Sequence, residues 1–145
     1  MIWNAALAVH ILGATIWVGG MFFSLLVLRP SLSVLEPPQR IAVHSQVFRR
    51  FFFIIWHAMP LTLLSGYAIL FGVYGGFAGA NPYIHVMHLL GLVMAAIFVW
   101  IFLGPWKQFR ADTASRPQAV DRIRKAIGIN LILGLLTIVV AGLGN

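Results

Sequence analysis

Four long runs of apolar residues, each free of charged side chains, occupy most of the chain and predict four helices. They cover residues 3–28, 51–74, 82–103 and 126–143. Each run is close to or longer than the roughly 20 residues that a helix needs to cross the hydrocarbon core of a bilayer. The pattern predicts an all-α integral membrane protein: one four-helix bundle over residues 1–145, with no domain outside the membrane.

The charged residues predict the orientation of these helices. All ten Lys and Arg side chains fall within residues 29–50 and 107–125, and the formal net charge is +7. Short basic loops stay on the cytoplasmic side, so we expect a bacterial inner-membrane protein with both termini periplasmic. The three acids lie in the same two stretches, so the charge indicates topology and contact with anionic lipid rather than nucleic-acid binding.

A weak internal repeat indicates how the helices are arranged. An offset of 75 residues aligns His10 with His85, Pro30 with Pro105, and residues 48–50 with 123–125. The alignment predicts two helical hairpins related by a pseudo-twofold axis along the membrane normal. Pro-started amphipathic segments after residues 36 and 115 are expected to lead directly into the second and fourth spans.

Histidines carry most of the candidate chemistry. The chain has no cysteine, which excludes thiolate metal sites, disulfides and covalently attached haem. Four of the five histidines, His10, His57, His85 and His88, lie within the apolar spans. Ionisable residues at such positions are costly and are functional candidates by default.

One hypothesis is a b-type haem with a redox or electron-transfer role. Counted from Pro30 and Pro105, His10 and His85 lie at the same depth towards the outer face, so they could supply the two axial ligands between the first and third helices. His88, one turn from His85, could replace either. Gly13 and Gly91 could leave room for the macrocycle, and Trp17 could pack against it, although small residues and aromatics also pack membrane helices.

Copper is the alternative hypothesis. Imidazole with thioether suits Cu(I), and His85, Met87 and His88 lie within one turn near the outer face. At 100° per residue His85 and His88 share a face, whereas Met87 points away from His85. One helix therefore cannot present all three side chains to one ion.

A third hypothesis is an accessory or assembly subunit whose histidines only form hydrogen bonds. His57, a secondary candidate, lies three residues before Pro60 and is best explained by such a bond, with Asn130 at a similar depth. No carboxylate lies in a span, so no catalytic residue is predicted and an oxidoreductase remains the one enzyme class left open. The partners left open are a quinol, a periplasmic redox or copper-carrying protein, and a second copy of the chain.

Three stretches resemble the small inner-membrane proteins of the CopD-like, copper-resistance D family. They are residues 10–30, residues 48–52 and residues 83–92. The likeness runs over nearly the whole chain. It implies a bacterial membrane protein concerned with copper uptake or tolerance.

The same segments are more distantly similar to the HemJ-type protoporphyrinogen oxidases, four-helix membrane proteins that carry haem b. That pattern matches His10, Pro60 with Gly66, and Tyr83 with His85. Its lysine position holds Met87 here, and no span contains a lysine. This departure from the pattern argues against the oxidase activity and leaves haem binding open.

Overall fold

The described part of the chain folds into four long helices and one short one. The computed structural model describes residues 1–144, and α-helices, short π and 3-10 turns and loops account for all of them. The helices are α1 (Ile2–Phe23), α2 (Pro37–Gly72), α3 (Pro82–Leu103), the short α4 (Pro105–Ala111) and α5 (Arg116–Leu143). The four long helices are long and apolar enough to cross a membrane, which confirms the predicted all-α, four-helix membrane fold.

Both basic stretches lie at one end of the bundle, here called the basic end, while Met1, Gly144 and the 73–81 loop lie at the opposite end. α1 continues towards the basic end through a π-helical turn, Ser24–Leu28, and a last helical turn, Arg29–Ser31. α2 begins at Pro37, where Glu36 and Gln39 form a capping box. Its 36 residues give a length of about 54 Å, so its first turns extend beyond a hydrocarbon core of about 30 Å.

Glycines allow α1 and α2 to pack closely along their length. A Cβ atom at Gly13 would collide with Thr62 Oγ1, and one at Gly72 would collide with the Trp3 ring. In lipid, helices associate through such close packing because the surrounding acyl chains are as apolar as the side chains. α1 and α2 therefore form one hairpin.

The second hairpin joins α3 to α5 and contacts the first. Asn130 on α5 is buried, and its Nδ2 donates to the Met94 carbonyl of α3 over 3.2 Å. A Cβ at Gly134 would lie 2.7 Å from Val18 of α1 and 3.1 Å from Met94. Gly134 thus lets α5 approach both α3 and α1.

Packed aromatic side chains fill the half of the bundle near the basic end. This aromatic cluster comprises Phe48, Phe52, Phe98, Trp106 and Phe109, each at most 5% exposed. Successive rings lie 5.2–5.9 Å apart between centroids, from Phe48 through Phe52 and Trp106 to Phe109. α4 contributes two of the five rings because this short helix packs against the basic end of the bundle. The half of the bundle near the basic end is consequently densely packed.

Glycine at position 13 should be essential for the first hairpin. We expect Gly13→Ala to lower the free energy of unfolding by about 1–3 kcal/mol, because the new methyl displaces Thr62 from its bond to the Ala58 carbonyl. Gly19→Ala is the matched control on the same helix, because no atom lies within 4 Å of its Cβ position. Unfolding in mixed detergent micelles, followed by circular dichroism, compares the two; equal effects would contradict the packing argument.

The orientation predicted from charge can be tested with single cysteines, since the chain has none of its own. Ala78 and Ala114 are exposed at opposite ends of the bundle. In intact bacterial cells we expect a membrane-impermeant maleimide to label Ala78→Cys, and to label Ala114→Cys only after lysis. The reverse pattern would place the basic end outside.

Candidate functional site

A cavity of about 350 Å³ lies between the two hairpins, in the half of the bundle away from the basic end. All four long helices line it. The lining side chains that carry nitrogen, oxygen or sulfur include His10, Thr62, Tyr67, Met87, His88, Met94 and Thr137. No carboxylate or charged nitrogen faces it among the described residues. The cavity is thus an uncharged chamber with a few polar and sulfur atoms.

His10 is held against α2 in a defined orientation. Its Nδ1 lies 2.8 Å from the Thr62 carbonyl oxygen. Because a carbonyl only accepts, Nδ1 carries a proton, which leaves Nε2 as the ring atom that could bind a metal. Gly66 makes room beneath the ring, since a Cβ there would lie 3.0 Å from His10 Cε1. A bond from one ring nitrogen to a carbonyl is the usual way in which a metal-binding histidine is oriented.

His88 enters the same cavity from α3. Its Nε2 lies 3.3 Å from the Tyr67 hydroxyl of α2. The Tyr67 and Phe77 rings pack edge-on against the imidazole, with centroids 5.1 and 5.2 Å away. Two imidazoles, one from each hairpin, therefore line one chamber.

His85 and His57 lie outside the cavity. His85 is exposed and stacks on Phe77 with ring centroids 6.1 Å apart. On α3, His88 therefore lines the cavity and His85 does not. His57 is also exposed, and its Nδ1 donates to the Phe53 carbonyl one turn back. The expected bond to Asn130 is not formed, because the Asn130 side chain is buried in the bundle whereas the His57 side chain is exposed.

The small residues proposed to make room have different roles. Gly91 lines the cavity and has open space at its Cβ position, as expected. Gly13 does not line it: the residue is buried under Thr62 and serves helix packing. Trp17 is 3% exposed and contributes to the wall, and its Nε1 is buried without a hydrogen-bond partner in residues 1–144.

Sulfur atoms complete the donor set. Met87 and Met94 of α3 both line the cavity, so Met87 shares it with His88 although it points away from His85. Over the described part of the chain, no three His, Asp or Glu side chains lie close enough to hold a metal ion. The nitrogen and sulfur atoms that could bind a soft metal ion in this cavity belong to His10, His88, Met87 and Met94.

Thr62, Tyr67, Met94 and Thr137 are polar or sulfur-bearing cavity residues that sequence reasoning missed. A weak signal was available: Thr62, Ser65 and Gly66 place small and polar groups on one side of α2, whereas Leu61 and Leu64 are exposed. Such a face indicates contact with another helix. It does not reveal that a carbonyl on that face accepts from a histidine.

The fold and this cavity define a multi-pass helical membrane protein with a soft, uncharged donor set inside the bilayer. Copper resistance protein D (CopD) is the family that matches, over residues 45–143. The chain therefore belongs to the CopD family, which confirms the resemblance seen in the sequence. His88, Met87 and Met94 fall within the matched residues, whereas His10 precedes them.

A relative supports the same relationship along a greater part of the chain. An uncharacterized protein of Aquifex aeolicus (strain VF5) is 31% identical over 134 residues, which cover 91% of this chain and 87% of that protein. No solved structure matches the chain. The family indicates a copper-resistance membrane protein, the alternative of the sequence analysis, and gives no support to haem b or electron transfer.

Proposed function

We propose that the protein handles copper within the membrane and binds Cu(I) as its cargo in the cavity between the hairpins. His10 and His88 supply imidazole ligands, and Met87 or Met94 supplies a thioether. One observation carries the proposal: histidines from both hairpins line the same chamber as two methionines, and His10 presents a free Nε2.

The donor set favours Cu(I) over other metal ions. Ca²⁺ and Mg²⁺ require several oxygen ligands, usually carboxylates, and catalytic Zn²⁺ usually takes three His, Cys or carboxylate ligands. Residues 1–144 offer no such group of three. Imidazole and thioether suit Cu(I), and its single charge costs less to bury in an apolar chamber than a double one.

The packing also favours capture from the end away from the basic end. The cavity lies in that half, while the aromatic cluster closes the other. With the orientation predicted from charge, copper would enter from the periplasm. Uptake would then require the cluster to rearrange, whereas sequestration would not.

Copper titration of purified protein tests the proposal. Under reducing conditions we expect the protein to bind about one Cu(I) per chain in competition with a Cu(I) chelator. His10→Ala or His88→Ala should weaken binding at least tenfold, because the loss of a residue that only hydrogen-bonds to a metal ligand already costs about that much. His57→Ala is the control because His57 lies outside the cavity. Unchanged binding in both cavity variants would refute the site.

An absorption spectrum of the same sample separates copper from haem. A protein whose cargo is Cu(I) should be colourless, because the ion has a filled d shell. A Soret band that disappears in His10→Ala would instead support the b-haem hypothesis.

Tyr67→Phe should strengthen copper binding. A metal at His88 Nε2 replaces the bond to the Tyr67 hydroxyl, and interhelical hydrogen bonds in membranes average about 0.6 kcal/mol. Removing the hydroxyl should therefore raise the Cu(I) affinity about threefold in the same chelator competition. Weaker binding would show that the hydroxyl assists the site rather than competing with the metal.

A further inference from the structure

Most cationic side chains at the basic end have an aromatic, hydrogen-bond or ion-pair partner within the protein. Arg116 stacks on Phe109 and donates to its carbonyl, and Arg122 stacks on Trp100 and donates to Gln108. Arg40 donates to two backbone carbonyls. These groups have protein partners and do not need an anion from outside.

Four exposed cations have no ion pair, aromatic partner or backbone hydrogen-bond acceptor for their side chains among residues 1–144: Arg29, Arg49, Arg50 and Lys107. Of these, only Arg49 and Arg50 are adjacent in the chain. Arg49 Nη2 donates to Gln46 Oε1 over 3.0 Å, but an amide carries no charge. Arg50 has no hydrogen bond or ion pair with any residue that the structure describes. Two full positive charges therefore stand side by side on α2.

The repeat provides an internal comparison. At the offset of 75 residues, Gln46 corresponds to Asp121, and Arg49-Arg50 correspond to Arg124-Lys125. Asp121 pairs with both cations of the second half, with 2.9 Å from Lys125 Nζ to its Oδ2. Hydrogen bonds from Lys125 and Arg124 also hold the pKa of Asp121 below its usual value, so the carboxylate is ionised at neutral pH. The equivalent position in the first half supplies no negative charge.

A shallow, open cleft of about 430 Å³, formed by α2 residues alone, lies directly beside the Arg49-Arg50 pair. Arg49, Arg50, Phe53 and Ile54 line it. Phe53 is 67% exposed and Ile54 49% exposed, and both lie one turn further into the apolar part of α2. The cleft therefore has a cationic rim next to an apolar floor that faces the lipid.

We propose that this cleft binds an anionic phospholipid from the leaflet at the basic end. Arg49 and Arg50 bind its phosphate, and an acyl chain lies along Phe53 and Ile54. Charge complementarity identifies the ligand class: the guanidinium pair recognises phosphate, and only a lipid also covers the apolar floor. The site is separate from the copper cavity and does not depend on the proposed function.

Lipid binding to the full-length protein in a neutral detergent tests this proposal. We expect phosphatidylglycerol to bind more tightly than phosphatidylcholine of the same acyl chains, as measured by native mass spectrometry. Each basic residue near a membrane surface contributes about fivefold to the binding of anionic lipid, so Arg49→Gln with Arg50→Gln should cost about 25-fold. Because both side chains are exposed, the variant should fold normally, and its circular dichroism checks this.

A charge-restoring variant makes the test sharper. Gln46→Glu introduces the acid that Asp121 provides in the second half, at i−3 and i−4 from the two arginines. It should weaken phosphatidylglycerol binding about fivefold without removing either arginine. The matched control, Arg124→Gln with Lys125→Gln, removes a pair of which Asp121 already neutralises one charge, and it should cost about fivefold at most, against about 25-fold for the Arg49, Arg50 variant.

Three results would overturn the proposal. Equal binding of phosphatidylcholine would show that charge does not select the lipid. An equal loss in the Arg124→Gln, Lys125→Gln control would indicate diffuse attraction to the whole basic end. Inorganic phosphate that binds as tightly as the lipid would show that the apolar floor contributes nothing.

Discussion

The close contact between α1 and α2 is the constraint on which the rest of the structure depends. Helices in lipid gain little from hiding apolar side chains, so their association relies on surfaces that fit. Gly13 and Gly72 remove the atoms that would hold α1 away from α2. The same approach brings His10 within 2.8 Å of the Thr62 carbonyl and over Gly66, so the packing that holds the hairpin also sets the orientation of the imidazole.

The two halves of the bundle along the membrane normal are packed differently. Large aromatic rings fill the half near the basic end, where α4 adds Trp106 and Phe109 beneath the long helices. In the other half, Gly66, Gly91 and Gly134 line the cavity with small surfaces. The bundle is therefore densely packed near the charged residues and contains a cavity beside His10 and His88. An ion bound in the cavity would be separated from the basic end by the aromatic cluster.

The sequence predicts the fold well because the bilayer leaves few choices. Uncharged runs of suitable length must be helices, and the family resemblance carried by residues 10–30, 48–52 and 83–92 gives copper as the associated chemistry. Sequence reasoning also identified the residue types of the candidate site, including His10, His88 and Met87.

Three-dimensional neighbours decide the rest. Depth along a helix does not give its rotation, and the 60° between His85 and His88 separates a ring stacked on a loop from one inside a cavity. Gly13 and Gly91 look alike in the sequence, but one lies under Thr62 and the other borders open space. The Thr62 carbonyl belongs to the backbone, so no pattern of side chains could indicate its role.

The densely packed half of the bundle also has an electrical consequence. If water fills the cavity, little of the membrane voltage falls across it, and most of the potential then falls across the densely packed aromatic cluster. Moving one elementary charge through 100 mV changes its free energy by about 2.3 kcal/mol. A monovalent ion that crossed the cluster would then experience nearly the full resting voltage of the cell in this one step. With the basic end facing a negative interior, the voltage would drive the ion towards the basic end.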